Sequence, residues 1–436
     1  MILTSACVCA GAAAPGLHAQ GFYWNTASAK AMGLGGIYVP SSTSVLDAMS
    51  VNPAGLSELR RPVLEGAANA VFSRGTFSNI VNNRATMQTG PGVAPSGAFG
   101  IPLGHSRYTL GVFALPELTS VSNWAYVDAP GTAGASYGLQ QNKSAIVALR
   151  SAVGLSARLG PRVSVGATLG ATYNSNTLHS PYIFQTQPTV KGLKTLLDLR
   201  TSGFGVNSSA GILVRPGRRV QLGVGYRNAT RITSTGVANG NLGVQLAAAG
   251  LGGARPDFRY DATVRNVLPQ SISVHTLITL TPRLSLALGG EWVNWKRAFK
   301  TLSVDLKNGN NADVNGLLQS TSLHDDVPLD WKNQFPVRVG LERSLGESLV
   351  ARAGYVHVNK AVPASTATPL TAAIFTDQVS AGGGYHKNNF SLDAAYTFVP
   401  TAMSRTGISK LQAGEYNHSA VGVGLQSVTL STVFVF

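Results

Sequence analysis

Between Gly203 and Phe436 the chain repeats one unit: an alternating apolar and polar stretch, a short turn, a second such stretch, then a long polar loop. Alternation with period two puts successive side chains on opposite faces of a strand, so each unit reads as a hairpin. The short turns fall at Gly104-His105, Gly160-Pro161, Pro216-Gly217, Thr281-Pro282, Leu345-Gly346 and Lys387-Asn388, with loops rich in Gly, Asn, Thr and Pro between them. Six short turns, seven long loops and two chain ends on the short-turn side require fourteen strands. Short turns on one side and long loops on the other are what a transmembrane β-barrel presents. The expected fold class is therefore all-β, a 14-stranded antiparallel transmembrane β-barrel.

Composition agrees. Charged residues are 12% of the 436, about half the share of an ordinary soluble chain. Past the first twenty residues no window holds the roughly 18 uninterrupted apolar residues of a membrane-spanning helix. The apolar content must then lie along one face of each strand. The net charge of +15 comes mostly from arginine, 23 Arg against 11 Lys. These arginines are scattered, with no basic helix and no stacking-aromatic motif, which excludes nucleic acid as the partner. Guanidinium groups suit phosphate, so loop arginines are expected against outer-membrane lipid and lipopolysaccharide, plain solvation being the other reading. The barrel is expected to act as a monomer.

Residues 1–19 read as a secretory signal: an apolar run to Gly16, then Leu17-His18-Ala19 as a small-residue cleavage site. Its basic leading segment is missing. Cys7 and Cys9 both lie there, so a cleaved chain carries no thiol chemistry. No cofactor, metal or catalytic residue is expected.

The strand faces are explicit. Val428, Leu430, Thr432, Phe434 and Phe436 oppose Ser427, Thr429, Ser431, Val433 and Val435; Leu392, Ala394, Tyr396 and Phe398 oppose Ser391, Asp393, Ala395 and Thr397. Strands of about 10 to 16 residues exceed the usual soluble length. Trp292, Trp295, Tyr355, Tyr385 and Tyr396 fall near strand ends and suit an interfacial girdle. The charges Arg162, Glu291, Arg338, Glu342, Arg352 and Asp393 sit on the polar faces and are expected in the lumen, partly as an ion-pair network. An arginine facing lipid at mid-membrane costs roughly 2–4 kcal/mol.

Between the signal and a first strand near Pro62, residues 20–61 do not alternate. They carry Gly21-Phe22-Tyr23-Trp24, Gly33-Leu34-Gly35-Gly36, a helix-start pattern from Ser44 to Ala48, and Asn52-Pro53-Ala54. Small residues with short helices suit a compact lumenal plug, or hatch, leaving residues 62–436 for the barrel. With Leu268-Pro269, Asp330-Trp331-Lys332, Arg352-Ala353-Gly354-Tyr355, Val362-Pro363 and Asp393-Ala394-Ala395-Tyr396 following in order, the chain resembles the FadL-type outer-membrane transporters of long-chain fatty acids and aromatic hydrocarbons.

The resemblance implies a hatch containing Gly21, Phe22, Asn52, Pro53 and Ala54, with capture of a hydrophobic small molecule outside. It also implies passage to a lumenal site near the hatch N-terminus and sideways release at a kinked third strand of a barrel in the outer membrane of a Gram-negative bacterium. Pro116 interrupts the expected third strand (107–118), either as that kink or as the strand's entry into its loop. Leu193, Leu196 and Leu197 recur at helical spacing in 191–200, and Val237 to Leu251 is apolar; both are expected to build a helical capture groove. Phe22, Tyr23, Trp24, Leu193, Leu196 and Leu197 are the candidate ligand contacts, with Lys191, Lys194 or Arg200 as attractors of a carboxylate. Rival readings are a general diffusion porin, a structural or adhesive barrel, and a barrel enzyme. His324-Asp325-Asp326 is the densest chemical cluster, read as a loop able to hold a divalent cation or to lie solvated.

Overall fold

The computed structural model describes residues 26–40, 43–104 and 107–436. The proposed signal, the Gly21 to Trp24 aromatic run and His105 of the first short turn lie outside those residues. Nineteen strand segments form one antiparallel sheet, and they make fourteen strands because five strands are each broken in two.

In chain order these are β1 (Val63–Ser78), β2 (Ala85–Thr86 and Gly92–Leu103), β3 (Tyr108–Val127), β4 (Leu139–Arg158), β5 (Val163–Ile183) and β6 (Lys194–Val214). Then come β7 (Val220–Arg227 and Thr230–Asn241), β8 (Asp257–Leu268 and Ser271–Thr281), β9 (Leu284–Val293 and Thr301–Lys307) and β10 (Leu323–Pro328 and Val337–Ser344). The ring ends with β11 (Leu349–His357), β12 (Asp377–Lys387), β13 (Phe390–Arg405) and β14 (Ala420–Val435). It closes along β1 and β14, paired over their full length from Val63↔Val435 to Ser78↔Ala420. Closure leaves no edge strand, the condition for a sheet in hydrocarbon. Each expected short turn joins two strands, and Gly104 and Asn388 take the left-handed conformation there (φ 54° and 53°).

The alternation sorts as expected. Val428, Leu430 and Phe434 face outward, while Ser427, Thr429 and Ser431 point into the lumen and are buried. Leu169, Phe204 and Val206 continue the outer apolar surface on β5 and β6, each more than 60% exposed. Tyr355, Tyr385 and Tyr396 also face outward. Trp295 does not. It sits on the short helix α4 (Trp295–Ala298), fully buried, with the rings of Phe299 and Trp331 at 5.1 and 4.9 Å. The break between the halves of β9 turns it into the lumen. Arg162 is likewise exposed at a short turn and lines no lumen.

The hatch residues form α1 (Ala29–Gly33), α2 (Val45–Val51) and a 3-10 turn (Pro53–Glu58). Ser28, Ser44 and Asn52 cap the three N-termini through their side chains. Most hatch side chains are buried, and bonds to the wall run round the ring. Glu65 of β1 accepts from the Ser44 hydroxyl and the Leu46 amide (2.8 and 2.9 Å). Ser431 of β14 accepts from Ala29 N (3.1 Å), Ser380 of β12 from Gly35 N (3.1 Å) and His275 of β8 from Tyr38 N (3.0 Å). Glycine lets the two surfaces meet: a Cβ on Gly166 of β5 would lie 2.4 Å from the Pro53 carbonyl carbon, and one on Gly354 of β11 2.2 Å from Gly35 N. This is a wall built for close backbone approach.

Candidate transport pathway

The hatch side of the lumen is charged and closed. Arg338 pairs with Glu291 (3.2 Å), and Arg352 with Glu342 and Asp393 (2.7 and 2.5 Å). Lys30 on α1 reaches Glu342 at 3.8 Å. The expected network thus exists, as two groups; Glu291 serves Arg338, not Arg352. Asn52 holds the plug from its own side, accepting from Ala54 N (3.1 Å) and donating to the Ile212 carbonyl of β6 (2.9 Å).

On the loop side the lumen is apolar. Loop 358–376 and loop 406–419 fold inward, burying Val358, Val362, Ile374 and Phe375 against Trp124 of β3 and Val421 of β14. Two cavities of about 180 Å³ each lie in this half. The outer one is lined by Phe184 and Leu193 of loop 184–193, by Leu246 on α3 (Gly243–Ala248), by Leu318 on α5 (Ala312–Leu318), and by Phe258 and Leu323. The inner one is lined by Ile146, Tyr182, Ile183, Val264, Val327 and Leu370 among others, with Asn176 and Asn266 as a polar end. The Asn266 amide donates to Asn176 Oδ1 (2.8 Å) and to Asn174, so that end is internally satisfied. No lining residue of either cavity among the described residues carries a formal charge.

The β2–β3 ladder lapses beside the inner cavity. The β2–β3 ladder runs from Leu103↔Tyr108 to Gly97↔Ala114 and stops; the next contact is the isolated bridge Met87↔Trp124. Over the same span β3 stays paired with β4, its register shifting between Pro116 and Leu118. Glu117 is therefore an extra residue, a bulge. From Leu115 to Ser120 every residue is buried, so the strand dips into the lumen. Pro116 on β3 and Pro95 on β2 flank the gap, and neither has an N–H to give a ladder. The Glu117 carboxylate holds the dip from within, pairing with Arg227 of β7 (3.1 Å) and Arg150 of β4 (3.9 Å). A small void lined by Met87, Ser120, Val121 and Ser122 lies at this seam, and Leu370 lines both it and the inner cavity. A second lapse in the ladder, along Gly203 to Ser208 of β6, is sealed: a Cβ on Gly205 would meet the Arg231 carbonyl of β7 at 2.5 Å.

A hatch, a lumen in two apolar chambers and a gap at a kinked third strand are one arrangement. The family model described as outer membrane protein transport protein (OMPP1/FadL/TodX) matches residues 10–430. The chain belongs to this family. It is an outer-membrane transport protein, and its family is one of transporters rather than enzymes. Among solved structures it is similar to a FadL homologue of Pseudomonas aeruginosa (TM-score 0.75, 18% identity, covering 95% of this chain and 100% of that one). It is also similar to the toluene transporter TodX of P. putida (TM-score 0.76, 16% identity, 95% and 99% covered). A third is the toluene transporter TbuX of Ralstonia pickettii (TM-score 0.72, 18% identity, 95% and 99% covered). No curated protein matches the chain in sequence.

Several residues of this FadL/TodX-family chain sit elsewhere than expected. Residues 191–200 form no helix; from Lys194 onward they are β6, because the long β5 carries its ladder up to Ile183↔Lys194. Leu193 lines the outer cavity, Leu197 is buried in the apolar cluster around it, and Leu196 is only half-buried. Val237 to Asn241 complete β7, and the helix of that segment is α3. Lys194 is unavailable to a ligand: it is fully buried, with Asp128 at 2.5 Å and Glu415 at 2.8 Å. Burial raises the Glu415 carboxyl to about 7 against the opposing pull of Lys194, with Asp128 adding to the rise. Arg200 is exposed and pairs with Asp198 (3.0 Å), and Lys191 is exposed. The third strand runs to Val127, so Pro116 stands mid-strand instead of at a loop entry. His324-Asp325-Asp326 lies on β10, and alternation splits it. His324 faces Asp305 (2.7 Å) and Asp326 (3.4 Å), while Asp325 points inward; no metal-holding group of three exists among the described residues. Pro95, Glu117, Arg150 and Arg227 escaped the sequence reading, although Pro95 within an alternating run was a visible signal.

Proposed function

We propose that this protein carries small neutral hydrophobic molecules across the outer membrane as a single barrel. They are captured in the outer cavity, held in the inner one, and released sideways between β2 and β3. The observation that carries this reading is the pair of charge-free apolar cavities leading to an interrupted wall. An apolar cavity of about 150 Å³ accepts benzene, so about 180 Å³ suits a single-ring hydrocarbon better than an extended fatty acid. A carboxylate brought there would lose its hydration without a counter-charge, which is prohibitive in an apolar site. A hydrocarbon keeps the roughly 25 cal/mol per Å² it gains on leaving water only if its path stays apolar, and the charged hatch half offers none. Two of the similar structures are named as toluene transporters, which supports the size class.

The test is uptake by cells with an intact lipopolysaccharide outer membrane, with and without the protein, comparing radiolabelled toluene with benzoate. Toluene should enter at least tenfold faster than in protein-free controls, and benzoate no faster than in them. Equal entry of both, or ohmic conductance of small ions, would favour a diffusion porin.

A further inference from the structure

The two cavities share no lining residue among the described residues, and between them lies one short segment tied to one carboxylate. Tyr182 lines the inner cavity and Phe184 the outer, their rings edge to face at 5.4 Å. Across the lumen, β10 presents the same division. Leu323 lines the outer cavity, Val327 lines the inner, and Asp325 stands between them on the same inward face. The Asp325 side chain is 4% exposed. It accepts from the Tyr182 hydroxyl (2.5 Å), the amides of Gln185 (2.9 Å), Thr186 (2.6 Å) and Gln187 (3.3 Å), and the Thr186 hydroxyl (2.9 Å). Asp326 N donates back to the Thr186 hydroxyl (2.9 Å). Beyond these the segment's bonds are local, apart from Gln185 Oε1, which accepts from Gln412 N of loop 406–419 (3.1 Å); a carboxylate accepting several N–H groups is among the strong ties a loop can have.

We infer that Asp325 is the positioning residue of an internal gate: it latches 182–187 shut between the outer and inner cavities, and a molecule passes inward only when that latch lets go. The inference rests on the two-cavity pathway proposed above. Asp325 touches no ligand; it acts by holding Tyr182 and Phe184 across the passage. Asparagine in its place keeps the shape but turns an NH₂ toward a ring of backbone donors, so the latch weakens while both cavities keep their linings.

The experiment is toluene uptake by cells with an intact lipopolysaccharide outer membrane carrying Asp325→Asn or Tyr182→Phe, the latter removing a single hydroxyl bond, with cells lacking the protein as the baseline. Alongside it, saturation of the outer cavity is measured from the concentration dependence of uptake. Heat-modifiable gel migration confirms the barrel in each. The latch predicts a maximal uptake rate raised at least threefold in Asp325→Asn, less in Tyr182→Phe, with the half-saturating concentration within twofold of wild type. A structural role alone would lower rate and saturation together. Unchanged or lower maximal rates overturn the inference, and if Asp325→Asn fails to form a barrel, an unchanged rate in Tyr182→Phe alone overturns it. Failure of the wild type to take up toluene at all would instead count against the transport reading itself.

Discussion

Glu117→Gln isolates what bends the third strand. The carboxylate sits on the bulged residue, 1% exposed, with Arg227 at 3.1 Å and Arg150 at 3.9 Å. At an effective dielectric of about 20 those attractions come to about 5 and about 4 kcal/mol, largely offset by the desolvation of three charges. Breaking a buried pair by neutralising one partner costs about 3–5 kcal/mol, because the remaining buried charge loses its counter-charge. Here the guanidiniums are fixed: Arg150 bonds Asn207 Oδ1 (3.2 Å) and the Ser50 carbonyl of the hatch (3.5 Å), and neither arginine reaches solvent. Urea unfolding in vesicles, followed by tryptophan fluorescence, should therefore show a loss of about 3–5 kcal/mol. The exposed-turn control Glu347→Gln should stay within about 0.5 kcal/mol. The same change frees β3 to straighten toward β2, so release from loaded barrels should slow several-fold while hydrocarbon still binds. A stability change below about 1 kcal/mol together with wild-type release would refute the argument that this carboxylate holds the dip open.

Three further outcomes follow from the same geometry. Gly166→Val forces a side chain into the Pro53 backbone, so stability should fall by about 1–3 kcal/mol and ion conductance should appear in planar bilayers as the plug loosens. Leu430→Arg places a guanidinium on the lipid side of β14 and should cost roughly 2–4 kcal/mol in folding titrations with lipid vesicles, whereas Leu345→Arg at a short turn should cost little. Glu415 holds its proton up to about pH 7 in the closed mouth but ionises near its ordinary 4.5 when loop 406–419 opens. Between those values the closed form binds more protons, so closure weakens as pH rises through about 5 to 7. Ligand off-rates measured from pH 5 to 8 should rise across that window and lose the dependence in Glu415→Gln.

Period two and turn chemistry made the barrel legible, because every strand must show hydrocarbon one face and the lumen the other. What those rules cannot see is a change of phase. Along β3 the inward set is Thr109, Phe113 and Leu115 up to Glu117; past the bulge it becomes Ser120, Ser122, Trp124 and Tyr126. Read with unbroken phase, Trp124 and Tyr126 belong to a lipid-facing girdle, yet both are buried under the inward loops. Helical spacing misplaced 191–200 for a different reason. Three leucines at helical spacing were real, but the length of β5 supplied a partner that a local pattern does not contain, and tertiary pairing overrode propensity. For the pathway, the hydrophobic groove was legible at Leu193 and α3. The Glu117 cluster and the Asp325 latch were not, because Glu117 meets Arg227 and Asp325 meets Tyr182 across more than a hundred positions.

The proposed sideways exit agrees with where charge is placed. Within the two cavities a neutral hydrophobe meets an uncharged and mainly apolar lining. Below the inner cavity it would meet Arg150, Arg227 and Glu117, then the Arg338–Glu291 and Arg352–Asp393 pairs, all packed against a plug bonded round the ring. Threading it straight through requires separating those pairs, several kcal/mol each, and then returning the molecule to water, which forfeits the burial that drew it in. Moving it sideways requires neither. The ladder lapses between Gly97/Ala114 and Met87/Trp124, and Leu370 lines both the inner cavity and the void at that seam. On the proposed route the charged cluster below thus serves release twice, by bending β3 away from β2 and by making the downward route the costlier one.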